Sequence, residues 1–132
     1  MYLLDTNIFL ELLLDQEKAN SVKTFFSRVK TSNIFISDFS LHSIGVILFK
    51  LKKNNVFIQL VDDMVLNGNV KILSINLKNT LKLSEISKKY SLDFDDAYQY
   101  LISDEYDLDI ISFDPDFDKT DRKRKLPEKI TG

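Results

Sequence analysis

The stretch Tyr2-Leu3-Leu4-Asp5-Thr6-Asn7 passes from a short apolar run to a carboxylate and then to two side chains with helix-capping chemistry. Read outward, it predicts a buried strand that stops at Asp5 and a helix that starts immediately after it. The same grammar repeats downstream. Between Gln16 and Lys30, Ala19, Val22, Phe25, Phe26 and Val29 recur at three- and four-residue steps, as on a one-sided helix. Ile34-Phe35-Ile36 is a second β-like run, closed by Ser37 and Asp38 at the head of a helix carrying Leu41, Ile44, Leu48 and Leu51. A shorter helical segment covers Phe57 to Leu66, and Asn67-Gly68-Asn69 forms a turn before a third strand, Val70 to Leu73. A helix over Leu77 to Tyr90 follows, with Leu77, Leu81, Leu83 and Ile86 as its apolar positions. Asp93 then caps a helix through Asp96, Ala97, Tyr100 and Leu101, and Asp109 to Ser112 is a fourth strand ending at Phe113-Asp114-Pro115-Asp116. This alternation predicts an α/β fold, a three-layer domain with a mostly parallel central sheet flanked by helices.

The chain has 132 residues, 44% of them hydrophobic, enough for one core and too few for two ordinary domains, so residues 1–132 are read as a single domain. It contains no cysteine and one histidine, which rules out a disulfide framework, a thiolate zinc site and an imidazole-rich site. Any bound metal must therefore be held mainly by oxygen. No basic leader precedes Asp5 and no apolar run reaches the roughly 18 residues of a membrane span, so a soluble, cytoplasmic protein is expected. A net charge of −2 argues against coating nucleic acid through bulk positive charge. A local basic segment does exist: Lys119, Arg122, Lys123, Arg124 and Lys125 crowd together just after the last acidic stretch. Lys123, Arg124 and Lys125 are the candidates for nucleic-acid binding, the plainer reading being a solvated surface.

In open α/β sheets ligands sit at the carboxyl ends of the strands. Asp5 and Asp114 each follow a strand, and Asp96 lies in the first turn of a helix, so three carboxylates distant in sequence are expected to meet at one sheet edge. Helical spacing selects Asp96 over Asp95, because Asp96 shares a face with Asp93, Ala97, Tyr100 and Leu101. Gathered carboxylates repel unless a cation or raised pKa values relieve them. With oxygen donors only, that cation is hard, Mg2+ or Mn2+, and such a site suits phosphodiester hydrolysis.

Leu3-Leu4-Asp5-Thr6-Asn7, Phe94-Asp95-Asp96-Ala97 and Ser112-Phe113-Asp114-Pro115-Asp116-Phe117, in this order and at these intervals, resemble the acidic segments of PIN domains. The resemblance implies a metal-dependent endoribonuclease with water as nucleophile. Asp5, Asp96 and Asp114 take the catalytic and metal-binding roles, Asp116 serves as an auxiliary acid, and Asn7 as a polar helper. It also implies kinship with VapC-like toxins, which a cognate antitoxin holds inactive. The family usually places a glutamate near the start of the helix after the second strand; here that position is Ser43. Serine is able to orient a metal-bound water but brings no charge. Asp38 is a poor substitute, since five helical residues turn through about 140°, and His42 is a further candidate lining residue. The departure at Ser43 keeps an alternative open, a catalytically weakened PIN-derived module that binds RNA or protein. A receiver-like signalling domain also gathers acids, but Asp5 lacks a neighbouring acidic pair. Finally, Val46, Ile47 and Phe49, with Val56, Phe57, Leu60 and Val61, offer apolar surface for an antitoxin or a homodimer, unless they are simply core.

Overall fold

A computed structural model describes residues 1–131. Five strands form one sheet in the order β3-β2-β1-β4-β5, with every neighbouring pair parallel: β1 Tyr2–Leu4, β2 Ile34–Ser37, β3 Lys71–Leu73, β4 Asp109–Ile111 and β5 Arg124–Lys125. The expected mostly parallel sheet is thus wholly parallel. The fifth strand, a two-residue pairing of Arg124 and Lys125 with Ile110 and Ile111, lies inside the segment read only as basic, because its residue types carry no strand signal.

Six α-helices complete the fold: α1 Thr6–Leu13, α2 Ala19–Arg28, α3 Asp38–Lys50, α4 Asn54–Leu60, α5 Thr80–Tyr90 and α6 Phe94–Glu105. Side-chain direction explains the layering, since successive strand residues point to opposite faces. Leu4, Ile34, Ile36 and Ile111 join Ile8, Val22, Phe25, Ile44 and Leu48 in one core. Leu3, Phe35 and Ile110 join Leu83, Ala97, Leu101 and Phe117 in the other. Helices α1 to α4 therefore cover one face of the sheet, and α5 and α6 the other.

Several element boundaries differ from expectation. The helical reading of Phe57 to Leu66 divides into α4 and a wider π-type turn over Val61–Leu66, and the helix over Leu77 to Tyr90 begins with a 3-10 turn, Leu77–Asn79. Leu77 and Leu81, expected to face the core, are largely exposed, leaving Leu83 as the buried anchor of α5. Among the described residues no helix is long and apolar enough to cross a membrane.

Candidate active site

The carboxyl ends of β1, β2 and β4 open onto one edge, where the chain turns into α1, α3 and a 3-10 turn at Pro115–Lys119, and where α6 begins. A cavity of about 610 Å³ occupies this edge, lined among others by Asp5, His42, Ser43, Asp96, Gln99 and Asp114. The three predicted carboxylates are thus brought to one cavity. Asp96, Asp114 and Asp116 form the tightest group, each presenting an acidic oxygen within 4.8 Å of the others. Asp116, expected as an auxiliary, belongs to that trio, whereas Asp5 sits beside it with its oxygens engaged by protein donors.

Asp5 caps α1. Its Oδ1 accepts from the Thr6 backbone N–H at 2.8 Å and from Gln99 Nε2 at 3.2 Å, and its Oδ2 accepts from Ser112 Oγ at 2.7 Å and Asn7 Nδ2 at 3.3 Å. Burial pushes the Asp5 pKa up; the bonds from Ser112, Thr6 and Gln99 pull against that, and the Asp114 charge adds to the rise. Asn7 fills the helper position expected of it and does more, since its Oδ1 accepts from the Phe113 N–H at 3.2 Å. Ser112 Oγ accepts in turn from the Asp114 N–H at 2.9 Å. The β4 end is thereby tied to the β1 end.

Asp93 caps α6 through the Asp96 N–H at 3.0 Å, which sets Asp96 in the first turn. Asp96 is 7% exposed, while Asp95 is exposed, so helical spacing chose the inward residue. From Ala97 to Ser103 every residue of α6 is buried, including Tyr98, Gln99 and Ile102 on the side of Asp95. Burial, followed by the charges of Asp114, Asp93, Asp5 and Asp116, raises the Asp96 carboxyl to about 7. Asp114 caps the following 3-10 turn by accepting from the Asp116 N–H at 2.9 Å, so the turn holds both acids in one register.

On the α3 side, Ser43 is half-buried in the cavity wall and His42 is exposed beside it. Asp38 is occupied elsewhere, accepting from Tyr98 Oη at 2.7 Å. Ser40 was not anticipated: its Oγ receives Thr6 Oγ1 at 3.0 Å and Gln99 Nε2 at 2.9 Å. Gln99, one helical turn after Asp96, and Ser112, directly after β4, were likewise missed. Their positions next to the acids were the available signal.

The basic segment is largely spoken for. Arg124 grips Asp118 at 3.1 Å and 3.3 Å and donates to the Phe113 carbonyl at 2.7 Å, Lys125 pairs with Asp109 at 2.8 Å, and Arg122 with Asp107 at 2.8 Å. Lys123 is exposed and makes no ion pair among the described residues.

The donor set fits a hard divalent cation. Three converging carboxylates, one with a strongly raised pKa, repel one another in the absence of positive charge, and all their donor atoms are oxygen.

Solved structures similar in fold include Mycobacterium tuberculosis VapC20, described as a toxin that cleaves the sarcin-ricin loop. That match has a TM-score of 0.80 at 14% identity and covers 96% of this chain and 100% of that one. A toxin–antitoxin complex from Klebsiella pneumoniae matches with a TM-score of 0.77 at 17% identity, covering 96% and 98%. FitAcB from Neisseria gonorrhoeae matches with a TM-score of 0.76 at 18% identity, covering 98% and 100%. No curated protein sequence matches the chain. The profile of the PIN domain family matches residues 2–123, nearly the whole length, and the chain belongs to the PIN domain family.

Proposed function

We propose that this chain is a Mg2+- or Mn2+-dependent endoribonuclease and the toxin of a type II toxin–antitoxin pair, acting in the cytoplasm. The observation that carries the reading is the Asp96, Asp114 and Asp116 trio, with acidic oxygens within 4.8 Å of one another, beside the buried Asp5. Asp96, Asp114 and Asp116 would hold the cation, with Asp5 fixing the strand end next to them. The cation would supply charge to the phosphate and acidify a water nucleophile. The chain's own residues do the rest. Asp5, Asn7 and Ser112 lock the ends of β1 and β4 together, Asp93 fixes the first turn of α6, and the acids line a cavity of about 610 Å³. Of Lys123, Arg124 and Lys125, Lys123 is the one that is exposed and makes no ion pair among the described residues, so it is the one free to meet a phosphate.

An antitoxin partner is supported by apolar surface on α3 and α4, where Val46, Phe49 and Ile58 are about half exposed. Val46 and Ile47 also line the acidic cavity, so a partner covering them would obstruct it. A homodimer could use the same apolar face. Of the surrounding candidates, Leu60 is core, and Ile47, Val56, Phe57 and Val61 are half-buried.

The second reading is a weakened PIN-derived module that binds RNA or protein without turnover, and the uncharged Ser43 in the cavity wall favours it. Incubation of single-stranded RNA with the wild-type protein, with Mg2+, Mn2+ or chelator, tests the first reading. Cleavage that needs the cation and disappears in Asp96→Asn supports it. RNA or cation binding without cleavage supports the second.

A further inference from the structure

Gln99 lies on α6 three residues after Asp96 and is 2% exposed. Its amide nitrogen donates one hydrogen to Asp5 Oδ1 at 3.2 Å and the other to Ser40 Oγ at 2.9 Å. Its carbonyl oxygen is buried and has no partner among the described residues. A buried carbonyl without a donor is destabilising, and an apolar side chain of similar volume would avoid that cost. The arrangement is intelligible if both amide hydrogens are needed where they are.

The opposite orientation of the amide would place its oxygen against Asp5 Oδ1 at the distance the nitrogen now holds, two acceptors with no hydrogen between them. The orientation observed avoids that contact and keeps both amide hydrogens bonded. The second hydrogen reaches a junction: Ser40 Oγ also receives Thr6 Oγ1 at 3.0 Å, so one hydroxyl joins α1, α3 and α6. Gln99 is the side chain that bonds Asp5 and an α3 residue at once.

We infer that Gln99 is a positioning residue of the acidic site, its amide clamping the Asp5 carboxylate to the Ser40 hydroxyl so that β1, α3 and α6 keep one geometry around the acids. The role matters because α3 contributes uncharged Ser43 to the cavity wall, so no carboxylate there fastens α3 to a shared cation. The clamp makes that connection through hydrogen bonds. It also fixes the roll of α6, which carries Asp96 one turn earlier on the same helix. The consequence for cation binding rests on the proposed nuclease reading; the clamp itself does not.

The 132-residue chain supports two measurements. In the metal-free protein, NMR of the Gln99 side-chain amide should show slowed hydrogen exchange, and both amide resonances should shift in Ser40→Ala and in Asp5→Asn. Resonances that move in neither variant overturn the clamp. In the second measurement, Mg2+ is titrated calorimetrically into wild type and Gln99→Met, which keeps the volume and removes both donors. Affinity should fall about 10-fold, the scale of substitutions that act from behind the residues holding a metal, with a cooperative melt retained. A purely packing role would instead lower the melting temperature and leave the affinity of folded protein unchanged. If Gln99→Met does not fold, Ser40→Ala removes the other end of the clamp and carries the same expectation. A wild type that binds no Mg2+ or Mn2+ defeats the nuclease reading, and the amide resonances still decide the clamp. A wild type that binds the cation, with the folded variant within two-fold of it, defeats the clamp alone.

Discussion

Replacing Asp96 with asparagine should make the metal-free protein more stable at neutral pH while removing its capacity to hold a cation. The carboxyl is raised from 3.8 to about 7, by burial first and then by Asp114, Asp93, Asp5 and Asp116. At about 1.4 kcal/mol per pH unit, that rise corresponds to at most about 4 kcal/mol disfavouring the charged form in the fold. The cavity is open to solvent, and screening there reduces the figure to about 1–2 kcal/mol. Asparagine keeps the shape and removes the charge, and the cap bond to Asp93 is unaffected because it uses the backbone N–H of residue 96.

The pH dependence gives the reasoning its sign. Between about pH 4 and pH 7 the native state retains the Asp96 proton that the unfolded chain has released, so stability falls as pH rises through this window. Below about 4 the carboxyl is protonated in both states, and the cost disappears. The gain in Asp96→Asn should therefore be near zero at pH 4 and reach about 1–2 kcal/mol at pH 7.5, roughly 3–10 °C in melting temperature for a domain of this size. Thermal melts of both proteins across that range, with chelator present, measure the gap directly; the rise at Asp95, which comes from burial and Asp93, is common to both curves. Added Mn2+ should raise the wild-type melt and leave the variant unmoved. If asparagine lowers the melting temperature at pH 7.5, or if the gap is constant from pH 4 to 7.5, Asp96 does not carry the repulsion ascribed to it.

Cleavage of single-stranded RNA should require Mg2+ or Mn2+ and be lost in both Asp5→Asn and Asp96→Asn with circular dichroism unchanged; cleavage surviving in chelator points to other chemistry. Lys123→Ala should weaken RNA binding and flatten its salt dependence by about one phosphate contact without changing the melt. Arg124→Ala should instead destabilise the fold by about 1–2 kcal/mol, because it frees Asp118 and the Phe113 carbonyl and loosens the turn that carries Asp114 and Asp116; equal melts for the two variants would contradict this. Ser43→Glu should tighten Mg2+ binding by adding an acidic oxygen to the cavity wall, and in a weakened module it should bring out measurable cleavage. Unchanged affinity in a folded Ser43→Glu protein would remove residue 43 from the site.

The sheet and its layers were legible because burial on both faces leaves an unmistakable trace: Leu3-Leu4, Ile34-Phe35-Ile36 and Ile110-Ile111 are continuous apolar runs, each followed by a polar residue. Strand β5 was not legible. A two-residue strand at the sheet edge is specified by its pairing with Ile110 and Ile111, and neither Arg124 nor Lys125 signals it. The exposure of Leu77 and Leu81 was equally hidden, since periodicity names a face without showing how far a neighbouring element extends to cover it. At the site, the acids were readable from their positions after strands and at a helix start. The hydroxyl and amide groups around them were not, because Thr6, Ser40, Gln99 and Ser112 acquire meaning only once the parallel sheet brings four chain segments to one edge.

That network also redistributes the work among the carboxylates. Asp5 is held by Thr6, Asn7, Gln99 and Ser112, so both of its oxygens are bonded by donors from the protein itself. Asp96, Asp114 and Asp116 show the opposite pattern: their backbone N–H groups are engaged by Asp93, Ser112 and Asp114, while their acidic oxygens converge within 4.8 Å. In this last trio, backbone bonding fixes where each acid sits, and no cationic side chain pairs with any of the three among the described residues. A cation is the species that would relieve such a group, and Asp5 lies beside it with both oxygens bonded. On this division, Asp116 owes its place to the 3-10 turn that Asp114 caps, a local consequence of Asp114-Pro115-Asp116 in which proline occupies the first position of the turn and the preceding aspartate supplies the acceptor. The short acidic sequence after β4 thus delivers two carboxylates in fixed register, and α6 meets them with the third.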